Sequence, residues 1–287
     1  MKKYVFTLKT ISPVILSPRM QGALYNEIDY KKDDLRDYEI IYPFYSFDNR
    51  YNKSGETYRE ASSYYIPASS FKGALQFKDT VELASNEKPE NVGKYFICSD
   101  ITVPSNLIQV KSLKKYQYLY QESGSKEPKL EAFFPKVGVE MLKRETTLTG
   151  EIMVKEIEVD WGKICRKLNG LAIRKFKNNI EEIDKLEEKY NKKAKEAAEQ
   201  KLERNYQEKL QKLFELREEL KKKVTEIEEM ETKSKAYIFL GGFKGLLQSI
   251  SDKNPEEEIN GTSFFIDEED SKLLYGLTIL EVKEEKN

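Results

Sequence analysis

The stretch YYIPASSFKGAL, Tyr64 to Leu75, begins like the end of a buried strand and finishes like the start of a helix. Between the two halves stand Pro67, Ser69, Ser70, Lys72 and Gly73. Serine is a good helix N-cap. A helix start carries unpaired N–H groups and the positive end of the helix dipole. Lysine adds a point charge, and glycine lets another backbone come close. Together these residues suit a phosphate, although a serine cap and a plain turn account for the same letters.

The pattern repeats late in the chain. Ala236 to Leu240 reads as a strand that runs into Gly241, Gly242, Phe243, Lys244 and Gly245, and Leu246 to Ile250 reads as a second helix start. Neither junction is a Walker loop or a dinucleotide fingerprint. Around them, strands are expected over Tyr4–Leu16, Ser62–Ile66, Phe96–Val103, Leu107–Ser112, Thr146–Val159 and Leu274–Val282, with Pro13 marking an edge or bulge. A helix is expected over Ser70–Leu83, capped by Ser69 or Ser70. The long polar piece from Ser17 to Ser63 has weak periodicity, with a strand or hairpin possible at Glu39–Phe47.

From Leu171 to Leu240 there is neither glycine nor proline, and Glu, Lys, Leu, Ala and Gln dominate. Apolar residues recur at spacings of three and four, from Ile183 to Ala197 and again from Tyr206 to Ile227, with a break near Leu202. One helix of this length would run about 80 Å. A hairpin turning near Gln200 to Tyr206 is more compact and is the reading favoured. Its apolar stripe can close on itself, face a neighbouring subunit or form a coiled coil.

Composition excludes much. The chain has 287 residues, net charge −1, 34% charged and 39% hydrophobic residues. It has no histidine, which removes Ser-His-Asp and Cys-His catalysis and the commonest transition-metal ligand. Metal chemistry would rest on carboxylates and favour magnesium or manganese. Cys98 and Cys165 stand apart without a zinc or disulfide pattern. No run of about 18 apolar residues exists and the N-terminus does not read as a signal peptide, so a cytoplasmic protein away from the membrane is expected.

The segment Ile66 to Leu75 resembles the I-P-G-S-S-x-K-G-x-x-R motif of the RAMP superfamily, the RNA-binding subunits of CRISPR effectors. It departs from it at Ala68, where glycine is usual, and at Gln76, where arginine is common. CSDITV, Cys98 to Val103, resembles the strand that follows the first helix in that family, and TISPVIL suits its N-terminal strand. Leu240 to Ser249 is similar to the C-terminal glycine loop of the type III-A subunit that caps the 3′ end of the guide RNA, which also has a long helical insertion.

The resemblance implies an α+β fold of two ferredoxin-like (RRM-like) halves. These would be an N-terminal half over residues 1–170, a helical insertion over 171–235 and a part completing the second half over 236–287. It implies a non-catalytic subunit without cofactor or metal, whose partners are the guide crRNA, neighbouring backbone RAMP subunits and the small helical subunits of a type III effector. The RNA-binding residues would be Arg19, Ser69, Ser70, Lys72, Gly73, Lys143, Arg144, Gly241, Gly242, Phe243, Lys244 and Gly245.

Two alternatives stay open. In backbone RAMP subunits a single aspartate after the first strand supports metal-dependent cleavage of target RNA. Asp29, Asp33, Asp34 and Asp37 lie in that region, among lysines that also suit a solvated loop. The other is a coiled-coil scaffold without RNA. Lys111, Lys114 and Lys115 with Tyr116, Tyr118 and Tyr120 suit either RNA stacking or a half-buried amphipathic strand. Asp160-Trp161 reads as a strand end with one packed indole.

Overall fold

The structure is a computed structural model of the whole chain. It describes residues 1–17, 22–29, 35, 38–48, 61–81, 89–118, 129–132, 136–197, 200–231, 233–243, 262–267 and 271–285. In chain order the elements begin with β1 (Lys2–Thr10), β2 (Leu16–Ser17), β3 (Leu24–Tyr25), β4 (Ile40–Tyr42), β5 (Tyr64–Ile66), α1 (Ala68–Ala74) and α2 (Phe77–Thr80). The middle of the chain forms β6 (Phe96–Cys98), β7 (Ile101–Val103), β8 (Ile108–Ser112), β9 (Lys114–Tyr118), β10 (Lys129–Ala132), β11 (Val137–Leu142) and β12 (Thr147–Val154). There follow α3 (Trp161–Glu196), α4 (Gln200–Glu229), β13 (Lys235–Phe239), β14 (Gly242–Phe243), β15 (Thr262–Asp267), β16 (Leu273–Leu274) and β17 (Leu277–Glu284). The chain is therefore α+β, as the strand and helix patterns imply.

The central sheet runs β13-β17-β1-β12-β6, and every neighbour pair is antiparallel. β1 and β6 thus point one way, β12 and β17 the other. β1 alternates, so Tyr4, Phe6 and Leu8 face a core while Val5 and Thr7 are only half buried. The core lies between this face and the helices. Phe6 stacks on Phe71 of α1 with ring centres 4.3 Å apart, Phe77 of α2 on Phe96 at 3.7 Å, and Tyr4 meets Trp161 of α3 edge-on at 5.6 Å.

The expected helix over Ser70–Leu83 is two short helices. Gln76, at φ 45° and ψ 48°, turns left-handed between them and breaks the ladder. The expected strand over Tyr4–Leu16 also divides. The chain leaves the sheet after Thr10, and Val14 then bridges to Leu142 in a second sheet of order β3-β4-β11-β8. The stretch EMLKRETTLTG links two different sheets, because β11 pairs with β8 and β4 while β12 pairs with β1 and β6.

Asp160 ends no strand. Its carboxylate caps α3 by accepting from the Lys163 N–H at 3.1 Å, and Trp161 is the first helical residue. The helix therefore starts ten residues before the change in composition at Leu171. Its first turns carry Ile164, Cys165 and Leu168 into the sheet core and lack the solvated Glu/Lys pattern that marks the rest.

α3 and α4 form an antiparallel pair. Lys177 in the middle of α3 meets Glu228 near the end of α4, and Arg217, earlier in α4, bridges Asp184 and Glu187, later in α3. The described break lies between Glu196 and Gln200, just before the turn expected from the apolar spacing. The stripe Ile183, Leu186, Tyr190 and Ala194 closes on Tyr206, Leu213, Leu216, Leu220, Val224 and Ile227. Leu202, where the spacing slips, stays 46% exposed. Among the described residues no helix is long and apolar enough to cross a membrane.

Candidate nucleic-acid interface

The junction quoted first folds as strand then helix. Tyr64 and Ile66 of β5 point into the core, Pro67 stops the strand, and α1 starts at Ala68. The cap is not a serine. Pro67 occupies the N-cap position with no side-chain cap, and Ser69 and Ser70 lie inside the helix. The N–H of Ala68 instead donates to Oδ1 of Asp100 at 2.8 Å, a carboxylate from the CSDITV segment. Antiparallel pairing of Ile66 with Ile101 brings that segment alongside. The first amide of the helix is thus already matched by an acid, so an incoming anion has to meet the side of α1 and not its tip.

That side borders a groove of roughly 520 Å³, lined by Ser69 and Lys72 of α1, Gly93 and Lys94 of a 3₁₀ turn, and Phe96 and Cys98 of β6. β6 is an edge of the central sheet. Among the described residues the lining brings two lysines and a hydroxyl together and contains no carboxylate. Lys94 also lies over the Tyr95 ring at 4.7 Å. Among the described residues no carboxylate forms an ion pair with Lys72. Burial pushes the Cys98 thiol up to about 11 against the opposing pull of Lys72. The thiol is protonated at neutral pH, so the groove holds no thiolate at Cys98.

Gly73 adds an independent feature. A methyl at its Cα would meet nothing within 4 Å, so the fold itself does not require glycine there. A helical glycine is destabilising by about 1 kcal/mol relative to alanine. Open space above a glycine beside Lys72 is what close approach of another chain needs.

The late glycines have a different origin. Gly241 has φ 139°, and a Cβ there would stand 2.6 Å from the Ile15 carbonyl oxygen. Gly242 and Phe243 then form β14, which pairs in parallel with Leu16 and Ser17 of β2. Part of the expected glycine junction is thus a short strand, because Leu16 and Ser17 offer it a parallel ladder. Lys244, Gly245 and the expected helix 246–250 lie outside the described residues, as does Arg19.

Lys143 and Arg144 sit where the chain crosses between sheets. The Lys143 ammonium donates to the Asn106 carbonyl at 2.7 Å and its N–H to the Leu107 carbonyl at 2.9 Å, so this side chain helps to hold the turn before β8. Arg144 is exposed. Lys111 is half buried in β8, while Lys114 to Tyr118 form β9, and Tyr120 lies outside the described residues. Of the acidic group, Asp29 accepts from the Tyr25 N–H at 2.8 Å within a tight turn, and Asp33, Asp34 and Asp37 lie outside the described residues. Among the described residues no three Cys, Asp or Glu side chains gather as a metal cluster.

Two structural residues escaped the sequence reading. Glu140 is fully buried and accepts from the Phe44 N–H at 2.8 Å and the Tyr64 hydroxyl at 3.0 Å. Asn169 accepts from the Tyr237 N–H at 2.7 Å. A polar residue in an otherwise apolar strand, VGVEML, was the signal for the first. The second carries no local signal. No family model matches the chain, and no curated protein sequence is similar to it.

Proposed function

We propose that the protein is a non-catalytic, RNA-binding structural subunit of a type III CRISPR surveillance complex, capping the 3′ side of the guide RNA and the end of the backbone filament. The observation that carries the reading is the groove beside α1. Ser69, Lys72 and the sterically unneeded Gly73 fall on the segment that resembles the RAMP motif, and Ser69 and Lys72 line one anion-suited groove with Lys94.

The strand order supports one ferredoxin-like unit, which takes its last strand, β17, from the 236–287 part of the chain. In β17-β1-β12-β6, the short helices connect β1 to β6 and α3 lies between β12 and β17, as expected of a βαββαβ unit. On the sheet face opposite the α1 core, β1 and β12 carry Val5, Thr7, Thr149 and Glu151, with no aromatic ring for base stacking. The rings of β13 on that face, Tyr237 and Phe239, are packed against the α3–α4 core. RNA contact is therefore assigned to the α1 side of this unit.

The test is purification of the tagged protein from its native host, with sequencing of bound RNA and identification of co-purifying proteins. Short RNAs with repeat-derived ends and several partner subunits are expected. Lys72→Glu should weaken RNA retention and lower the slope of log affinity against log salt by about one. A clean protein without RNA or partners overturns the reading in favour of a scaffold. Magnesium-dependent RNA cleavage abolished by a single Asp→Ala change in the 29–37 region overturns it in favour of a nuclease.

A further inference from the structure

A second surface adjoins the α1 groove. Residues 45–47 run beside β5: the Tyr65 N–H donates to the Tyr45 carbonyl at 3.0 Å, the Phe47 N–H to the Ser63 carbonyl at 3.4 Å, and Ser46 bridges to Tyr64. β7 lies on the other side, with Tyr65 opposite Thr102. Alternation sorts this three-stranded ribbon into two faces. Ser46, Tyr64, Ile66, Ile101 and Val103 are buried, while Tyr45, Phe47, Tyr65 and Thr102 face outward.

The outward aromatics are ordered among themselves. Phe47 stacks on Tyr65 with centroids 4.1 Å apart and planes 20° apart, and Tyr45 meets Tyr65 at 5.6 Å and 61°. Phe47 nevertheless remains 64% exposed. A lone exposed phenylalanine needs no explanation. Here it ends a stack whose other ring is backed by the protein, so its free surface offers a flat π-face for one more ring.

We infer that Phe47 and Tyr65, supported by Tyr45, form a stacking platform for an unpaired base of single-stranded RNA whose phosphates lie in the Ser69–Lys72–Lys94 groove. This rests on the RNA-binding reading proposed above. The charges give the site a direction. Asp48 accepts from the Ser62 hydroxyl at 2.9 Å, and Asp100 accepts from the Ala68 N–H. Burial, and after it the Asp100 charge, raises the Tyr65 phenol above its ordinary value.

Asp48 lies on the aromatic side, and Asp100 lies where the two surfaces meet, since Ala68, whose N–H donates to it, also lines the groove. Both repel a phosphate from the rings, while among the described residues the groove lining holds two lysines and no acid. A nucleotide satisfies both surfaces with its base on the rings and its phosphate on the lysines. A base is favoured over a protein side chain because the exposed element is the end of a parallel stack, and base–aromatic stacking tolerates any sequence.

The experiment measures binding of a fluorescein-labelled oligouridine across a salt series. It uses the full chain, purified with whatever partners it retains, as wild type, Phe47→Ala, Phe47→Trp and Lys72→Glu. Phe47→Ala should weaken binding by about 5- to 100-fold with an unchanged salt slope, since stacking releases no counterions. Phe47→Trp should bind at least as well as wild type. Lys72→Glu should lower the slope.

Wild-type affinity in a Phe47→Ala/Tyr65→Ala variant, with Lys72→Glu still impaired, overturns the platform and leaves the RNA-binding function standing. So does loss of a co-purifying subunit from Phe47→Ala with RNA binding kept, which would make the surface a protein contact. No RNA bound by the wild type, alone or with partners, overturns the function and the platform together. Phe47 is exposed, so its variants should fold, and an unchanged Tm checks this.

Discussion

Asp100 has two opposing roles in one side chain. As the acceptor for the Ala68 N–H it secures the start of α1, and as an anion at the rim of the groove it repels phosphate. The two separate by substitution. Asp100→Ala should cost about 1 kcal/mol of stability, the usual worth of an N-terminal cap. Asp100→Asn keeps an acceptor oxygen, should cost less than half as much, and should tighten RNA binding several-fold at low salt. Thermal melts paired with binding titrations read both. An Asp100→Asn protein with weaker RNA binding would mean that the carboxylate itself touches the RNA.

Ser12 is purely structural. Its hydroxyl donates to the Leu274 carbonyl at 2.6 Å and accepts from the Leu277 N–H at 2.9 Å, tying the end of β1 to the turn before β17. Ser12→Ala leaves a buried N–H without a partner and should cost about 1–3 kcal/mol in denaturant unfolding, with RNA binding per folded molecule unchanged.

At the scale of elements, the sheet treats its two edges differently. β13 is sealed by α3, whose Asn169 supplies the acceptor that the Tyr237 N–H lacks in the ladder. β6 borders the groove and stays approachable. Asn169→Ala should therefore cost about 1–3 kcal/mol and speed hydrogen exchange of β13 amides before those of β1. An unchanged exchange pattern would show that α3 seals the edge by packing alone.

Elements with a strong local signal were legible in the sequence. The alternation in β12 and β17, Pro104 after β7, and the three-and-four spacing of α3 and α4 all stand in the chain near where they were read. Two of the failures share one physical cause, a distant partner. The cap of α1 comes from Asp100, 32 residues away, so Ser69 and Ser70 were the natural but wrong choice. Gly241–Phe243 became a strand because β2 lies beside it, and no local pattern announces a parallel partner more than 200 residues earlier. Within the candidate site, Ser69 and Lys72 were readable as chemistry. Lys94 and the aromatic face were not, since only pairing of Tyr45, Tyr65 and Thr102 brings them to that side.

The molecule as a whole has two main apolar cores joined by one helix. The first turns of α3 pack Trp161, Ile164, Cys165 and Leu168 into the sheet core, and from Ala172 onward the same helix belongs to the core it shares with α4. Cys165 is fully buried, and burial pushes its thiol from 9.0 up to about 12. A thiol with a raised folded value is held neutral by the fold. Its contribution to stability is complete below the unfolded value near 9 and is lost as pH rises from there toward 12. Stability should therefore fall with alkaline pH, and Cys165→Ala should flatten that fall while costing stability at neutral pH.

At pH 8 the buried thiol should react with a thiol reagent only when the sheet core opens. This gives a test of whether the hairpin opens separately. Leu213→Ala places a cavity in the α3–α4 core, at a residue with no exposed surface, and should cost that core about 2–5 kcal/mol. If the hairpin is a separable unit, exchange of α4 amides accelerates while Cys165 labelling keeps its wild-type rate. If α3 transmits the loss, both accelerate together. The first outcome is expected, because Tyr4, Phe96 and Leu168 hold the start of α3 through contacts that no hairpin residue shares.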